Sequence, residues 1–214
     1  MAATQNRDMG SGSIPKLLAQ LALPAVVAQV VNLLYNIVDR IYIGHMPEVG
    51  ASALTGVGLF TPILMLITAF AMLCGSGGAP RAAIAMGRGD DDAAEKSMGN
   101  CFTLQLLISA ILTVVLFCFN RKFLLAFGAS ENTIEYAVSY MNIYSLGTVF
   151  VELTLGMNMF ITAQGFAKTG MLSVLIGAVC NIVLDPVFIF GMNLGVRGAA
   201  IATVISQAGS TIWV

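Results

Sequence analysis

The sequence predicts an all-α polytopic membrane protein with six transmembrane helices. Its 214 residues are 57% hydrophobic and only 10% charged, and the mean hydropathy is +0.87. A soluble domain carries about 25% charged residues, so a bilayer is the expected solvent. Six stretches approach or exceed the roughly 20 apolar residues that a spanning helix needs. They are 15–43, 53–79, 100–120, 135–163, 169–191 and 196–214.

Charged and helix-breaking residues lie between these stretches, and the stretches follow one another without a long linker. We predict a polar tail over 1–13 and a single six-helix lobe over 14–214. Lysine and arginine number six on the N-terminal side of the membrane and four on the other side, which favours a cytoplasmic N-terminus. The last span stops at Val214 without a polar flank, so the chain is expected to be either a piece of a longer protein or a half-length unit.

Three acidic residues, Asp39, Glu152 and Asp185, lie well inside predicted spans. Asp39 and Asp185 lie five and six residues before the glycines that end the first and fifth spans. Both spans cross in the same direction, so at a rise of about 1.5 Å per residue the two carboxyl groups reach nearly the same depth. A charged group in the bilayer costs about 3 kcal/mol on insertion scales and usually faces a cavity, a partner or a passing ion. We therefore predict that the two acids belong to one site.

Polar residues three or four positions apart form stripes on two of the helices. The stripes are Gln29, Asn32, Asn36 and Asp39 on the first span, and Asn181 and Asp185 on the fifth. Tyr35 borders the first stripe, and Thr203 lies on the sixth span. Polar stripes in lipid must face protein or water. The alternative is that these amides and hydroxyls only hold helices together, at about 0.6 kcal/mol each.

Two prolines lie close to these polar residues and are candidate hinges. Pro24 lies within the first span and removes a backbone hydrogen bond there, which favours a kink. Pro186 follows Asp185 directly and does the same beside the acid. A bendable helix that carries a titratable group suits a cycle between two conformations. The sequence therefore favours a transporter.

Seven short segments together resemble the multidrug and toxic compound extrusion (MATE) family of efflux transporters, in particular its bacterial multidrug-export branch. They are Leu-Pro at 23–24, Val-Asp-Arg-Ile-Tyr-Ile-Gly at 38–44, Ala-Leu-Thr-Gly-Val-Gly-Leu-Phe-Thr-Pro at 53–62, Gly-Arg-Gly-Asp at 87–90, Gln-Gly at 164–165, Asn-Ile-Val-Leu-Asp-Pro at 181–186 and Gly-Ala-Ala-Ile-Ala-Thr at 198–203. Such proteins have twelve helices in two lobes. The resemblance implies that this chain is the N-terminal lobe and works with a second six-helix lobe.

The resemblance also implies a function and a set of residues. It implies a multi-pass protein of the bacterial cytoplasmic membrane that exports amphipathic, often cationic drugs, driven by inward H⁺ or Na⁺, with no cofactor and no metal beyond Na⁺. The implied cation site is Asp39, Asn181, Asp185 and Thr203, with Tyr35 in the same hydrogen-bond network. Substrate-cavity candidates are Gln29, Asn32, Asn36, Glu152 and Asn158. Pro24 matches a proline at which some members bend. For Glu152, a second protonation site and a structural role stay open.

Other functions fit the residues less well. A flippase for lipid-linked precursors would carry basic residues in its cavity, and no lysine or arginine lies in mid-span. An intramembrane enzyme would need a nucleophile and a base, and the sole histidine, His45, lies in a loop. A net charge of −1 argues against a nucleic-acid partner. A non-transporting half-length membrane subunit stays open.

Overall fold

The computed structural model describes residues 13–214, apart from the side chain of Lys16, and these residues form helices joined by short turns. The prediction of an all-α fold is confirmed. The predicted polar tail lies outside the described residues except for Ser13. The helices are α1 (Ile14–Gly44), α2 (Gly50–Gly58), α3 (Thr61–Gly87), α4 (Asp91–Ala126), α5 (Ile134–Leu146), α6 (Thr148–Ala163), α7 (Ala167–Pro186), which continues as a π-helical turn (Val187–Gly191), and α8 (Val196–Trp213).

Four segments are individually long and apolar enough to cross a bilayer, and a fifth is a bent pair. The four are Leu17–Gly44, Gly50–Gly87, Asp91–Ala126 and Ala167–Gly191, and the pair is α5 with α6. The sixth predicted span is helical, but it is not among these segments. The polar side chains along α8, including Thr203, Ser206 and Gln207, lower its average hydropathy.

The predicted loops at 80–99 and 120–132 are much shorter than expected. Helix α3 continues through Pro80 to Gly87, and α4 begins at Asp91 and runs to Ala126. Helices extend past the apolar span because their backbone hydrogen bonds are satisfied within the helix in water as well as in lipid. Asp90 caps α4 by accepting a 3.0 Å hydrogen bond from the Ala93 amide.

The fourth predicted span is broken in the middle. It divides at Gly147 into α5 and α6, whose axes differ by 57°. The fifth span changes from α-helix to the π-helical turn immediately after Pro186. By contrast, α1 is assigned as one uninterrupted helix through Pro24.

Helix packing brings the predicted polar stripes together. Helix α1 packs against α7, and α7 packs against α8, which also contacts α5 and α6. Helix α3 packs against α4 and α6. The apolar core lies near the ends of α1 and α3 and along α4 and α5, and it includes Ile43, Phe60, Ile67, Leu116 and Met141. The acids of α1 and α7 therefore meet next to a closely packed core.

Candidate functional site

The polar stripe of α1 is linked by hydrogen bonds within the helix. The Asn36 side-chain amide donates to the backbone oxygen of Asn32 at 2.7 Å and to its side-chain oxygen at 3.0 Å. Tyr35 lies within hydrogen-bonding reach of Asn36. These three side chains are half-buried, so they line a space inside the lobe rather than a closed core.

On α7 and α8, a second polar group is almost completely buried. The Asn181 amide donates to the Asp185 carboxyl group at 3.2 Å and to the Thr203 hydroxyl at 3.3 Å. The Thr203 hydroxyl in turn donates to the Ala199 backbone oxygen at 2.9 Å. Exposed fractions are 1% for Asn181, 0% for Asp185 and 8% for Thr203. The chain of bonds fixes the orientation of all three side chains.

Asp39 and Asp185 lie side by side where α1 meets α7. Each carboxyl group lies close enough for its charge to act on the other. One oxygen of each acid, and the side-chain oxygen of Asn181, have no partner among the described residues. Two ionised carboxylates at this separation repel each other, so a proton or a small cation between them stabilises the pair. The two acids share one site, and their role in binding a cation stays a prediction.

Two tyrosines of α5 complete this environment and were not identified from the sequence. Tyr140 lies within hydrogen-bonding reach of Thr203 and close to Asp39. Tyr144 stacks on Tyr140, with ring centroids 5.8 Å apart. Their spacing of four residues places them on one helix face, but buried aromatic pairs of this kind also occur in ordinary cores. Only the position of α5 beside α8 in the folded lobe shows that this tyrosine pair borders the acid site.

Two adjoining cavities extend from this region. The first, of about 230 Å³, is lined by Tyr35, Asn36, Asn181 and Thr203, among others. The second, of about 590 Å³, is lined by Pro24, Gln29 and Asn158, together with several methionines. Asn32 lines both cavities, so it marks the place where they meet. The larger cavity is mostly apolar with a few amide groups, which suits an amphipathic molecule.

The structure separates the remaining two cavity candidates. Asn158 lines the larger cavity, where its amide donates to the Gly170 backbone oxygen at 3.0 Å and to the Ser173 hydroxyl at 2.6 Å. Glu152, one and a half turns earlier on α6, lines neither of these two cavities. It is fully buried close to Cys74 of α3, and its backbone oxygen accepts a bond from Gln105 of α4. The residue therefore faces the neighbouring helices instead of the cavity.

The chain is similar to known export proteins over part of their length. The MatE family model matches residues 24–187. The multidrug export protein MepA of Staphylococcus haemolyticus is 29% identical over 196 residues, which is 92% of this chain and 43% of that protein. Crystal structures of MATE in the straight and bent conformations are 28% and 29% identical, each with a TM-score of 0.86 over 94% of this chain and 44% of theirs.

These matches show the family of the chain and the share of its relatives' length that the chain covers. The matched segment covers more than half of the chain, and the chain spans less than half the length of the relatives named above. Several apolar helices together with these relatives identify a multi-pass membrane protein. The family consists of transport proteins, which confirms the prediction that the chain is not an enzyme. The chain belongs to the MatE family, and it corresponds to the N-terminal lobe of its members.

Proposed function

We propose that the chain forms the N-terminal lobe of a cation-coupled antiporter that exports amphipathic, often cationic drugs and toxic compounds. The carrying observation is the pair of adjacent carboxyl groups, Asp39 and Asp185, at the buried junction of α1 and α7. Neither acid lines the two cavities described above, but Asn181, which donates to Asp185, lines the smaller one. Acids within membrane-spanning helices mark ion pathways in membrane proteins. The names of the relatives, which describe multidrug export, support the same function.

The coupling ion is H⁺ or Na⁺, and it binds between Asp39 and Asp185. Asn181 holds Asp185 through its amide and keeps an unpartnered oxygen nearby, within the described part of the chain. Thr203 and Tyr35 orient these groups. Binding of one cation removes one of the two negative charges and lowers the repulsion between α1 and α7. Each unit of charge removed from a low-dielectric site changes the preferred packing, and this couples ion entry to a conformational change.

The substrate binds in the larger cavity. Gln29, Asn32 and Asn158 provide amide groups on its wall, and Met72, Met159 and Met171 provide flexible apolar surface. Methionine side chains adapt to ligands of different shape. Asn36 lines the smaller cavity, between the substrate and the acids. A bound cation and a bound drug therefore compete through their effects on the same two helices.

Pro24 and Pro186 are the hinges of this cycle. Pro24 is buried and lines the larger cavity, at the point where α1 lacks a backbone hydrogen bond. Pro186 ends α7 one residue after Asp185 and precedes the π-helical turn. A π-helical turn within a helix is common at functional sites. A change of charge at the acid pair thus acts next to the weak point of α7, whereas Pro24 lies about 22 Å from Asp39 along α1, beside the substrate cavity.

The lobe works with a second six-helix lobe in the bacterial cytoplasmic membrane, with the N-terminus in the cytoplasm. A tail over 1–13 precedes the membrane lobe at 14–214. A second lobe is required because a transport cavity needs walls on both sides, and large apolar side chains of α1, such as Leu33 and Leu34, are exposed in the lobe alone. Labelling of single engineered cysteines in intact cells tests the orientation: Asp92→Cys is protected from an impermeant reagent, and Glu131→Cys is labelled.

The test of function replaces each acid with its neutral isostere in the complete transporter. Asp39→Asn and Asp185→Asn are expected to abolish dye efflux from proteoliposomes that carry an H⁺ or a Na⁺ gradient, applied separately. Asp92→Asn is the matched control, because Asp92 is an exposed acid in the first turn of α4. Ion-driven efflux that persists in both acid variants at normal protein levels contradicts the proposal. The gradient that drives efflux in the wild type identifies the coupling ion.

A further inference from the structure

Glu152 is an acid that the proposed transport mechanism does not use. Its exposed fraction is 0%, and it lies where α6 packs against α3 and α4. Within residues 13–214, neither of its carboxyl oxygens has a hydrogen-bond partner. An isolated ionised carboxylate is far more costly to bury than a neutral carboxylic acid. The environment of this side chain therefore determines its charge.

Gln105 of α4 leaves a further oxygen without a donor in the same region. Its amide nitrogen donates to the backbone oxygens of Glu152 at 3.1 Å and Ala71 at 3.4 Å. Its side-chain oxygen has no partner in the described structure. Thr148, one turn before Glu152 on α6, is also fully buried, and its hydroxyl likewise makes no hydrogen bond to described residues. The carboxyl oxygens of Glu152 and the amide oxygen of Gln105 are therefore acceptors without a donor, whereas the Thr148 hydroxyl can donate or accept.

The neighbouring helices provide no cation that would compensate an ionised Glu152. Cys74 on α3 is the titratable side chain that lies close to it, and Cys101 on α4 lies next to Cys74. Arg81 is near Cys101, seven residues beyond Cys74 and so about 10 Å further along α3. From α8, α6 meets the hydroxyl of Thr211. A proton on the carboxyl group removes the charge and supplies a missing donor.

We propose that Glu152 is a proton-binding site, separate from the Asp39–Asp185 pair, that holds its proton while α6 is packed against α3 and α4. The added proton makes the carboxyl group an O–H donor and leaves it uncharged in the interface. Separation of α6 from α3 and α4 would admit water and allow the proton to leave. This site does not depend on which ion binds at the acid pair or on which substrate is exported.

Infrared spectroscopy of the complete protein at neutral pH tests the proposal. Asp39→Asn combined with Asp185→Asn removes the other two intramembrane acids of residues 13–214. We expect this double variant to retain the C=O band of an un-ionised carboxyl group, shifted by transfer to D₂O. Adding Glu152→Gln, which keeps the size and polarity of the side chain, should remove that band. Glu135→Gln, at an exposed ion-paired position, should leave it unchanged.

Two outcomes would overturn the assignment. One is a double variant without an un-ionised carboxyl band, which would mean that Glu152 is ionised or bound to a metal ion. The other is a band whose intensity does not fall when Glu152→Gln is added, because any contribution from acids of the second lobe is the same with and without that substitution. If that substitution prevents folding, glutamate labelled with ¹³C at the side-chain carboxyl group in the double variant gives the same information, because only a glutamate band would shift. A labelled sample with an unshifted band also contradicts the proposal.

Discussion

Gly156→Ala is a substitution for which the structure predicts a large loss of stability from a single methyl group. A Cβ atom added at Gly156 would fall on the side-chain amide of Gln105, which crosses from α4 to the backbone of α6. The Gln105 amide cannot simply move aside, because it is fully buried between α3 and α6. The methyl group must therefore displace a side chain that holds three helices together.

The expected loss of stability combines three effects. Overpacking of a core costs about 1–3 kcal/mol, and loss of the two Gln105 hydrogen bonds costs about 1 kcal/mol each. Alanine is favoured over glycine in a helix by about 1 kcal/mol, which offsets part of this. The net destabilisation is about 2–4 kcal/mol. For a domain of this length, that corresponds to an apparent Tm lower by roughly 5–15 °C.

The assay is thermal unfolding of the purified complete protein in detergent, followed by tryptophan fluorescence. Gly77→Ala is the matched control, since Gly77 also lies in a helix and an added Cβ there would meet no atom within 4 Å. The control should have an unchanged or slightly higher Tm. A second variant, Gln105→Ala with Gly156→Ala, should be less destabilised than the sum of the single variants, because the steric conflict is removed. Equal Tm values for Gly156→Ala and Gly77→Ala would refute the reasoning.

Three further predictions concern the site and the surface. Thr203→Val removes an acceptor of the Asn181 amide. We expect the affinity for the coupling ion, measured as the ion concentration at half-maximal transport, to weaken roughly 10-fold, or about 1.4 kcal/mol; an unchanged ion titration would contradict this. Asn158→Leu removes an amide from the larger cavity and should raise the KM for cationic dyes while the ion titration stays the same, and a change in ion dependence alone would argue against it. Arg121→Gln breaks an exposed ion pair with Glu135, so the free energy of unfolding should change by less than about 0.5 kcal/mol. A loss of more than about 1 kcal/mol would contradict the view that this exposed pair contributes little to stability.

Hydropathy predicted where most of the helices lie, but it did not predict where they end. Each apolar stretch coincides with a helix, or with a bent or consecutive pair of helices, because burial in lipid requires a long apolar run. Hydropathy gives the length of that run, and α3 and α4 continue beyond it into water. The break at Gly147 was also missed. A glycine in an apolar sequence segment does not indicate whether the helix continues or bends there. At Gly147 the bend depends on packing against α8, which the local sequence does not reveal.

The acid pair was predictable because two helices of the same direction carry acids at matching distances from their ends. Its surroundings were less accessible. Tyr140 comes from α5, which approaches Asp39 only in the folded lobe. The backbone oxygen of Glu152 accepts a hydrogen bond from Gln105, 47 positions away in the chain. Contacts between helices that are distant in sequence leave no periodic signal, so the local pattern did not reveal them.

The break at Gly147 places Tyr140, beside the paired acids, and Glu152 on two helices whose axes differ by 57°. A Cβ atom at Gly147 would meet the side chain of Val204, so glycine at this position lets α8 approach the junction of the two helices closely. A larger residue at position 147 would therefore push α8 away from the point at which α5 and α6 change direction.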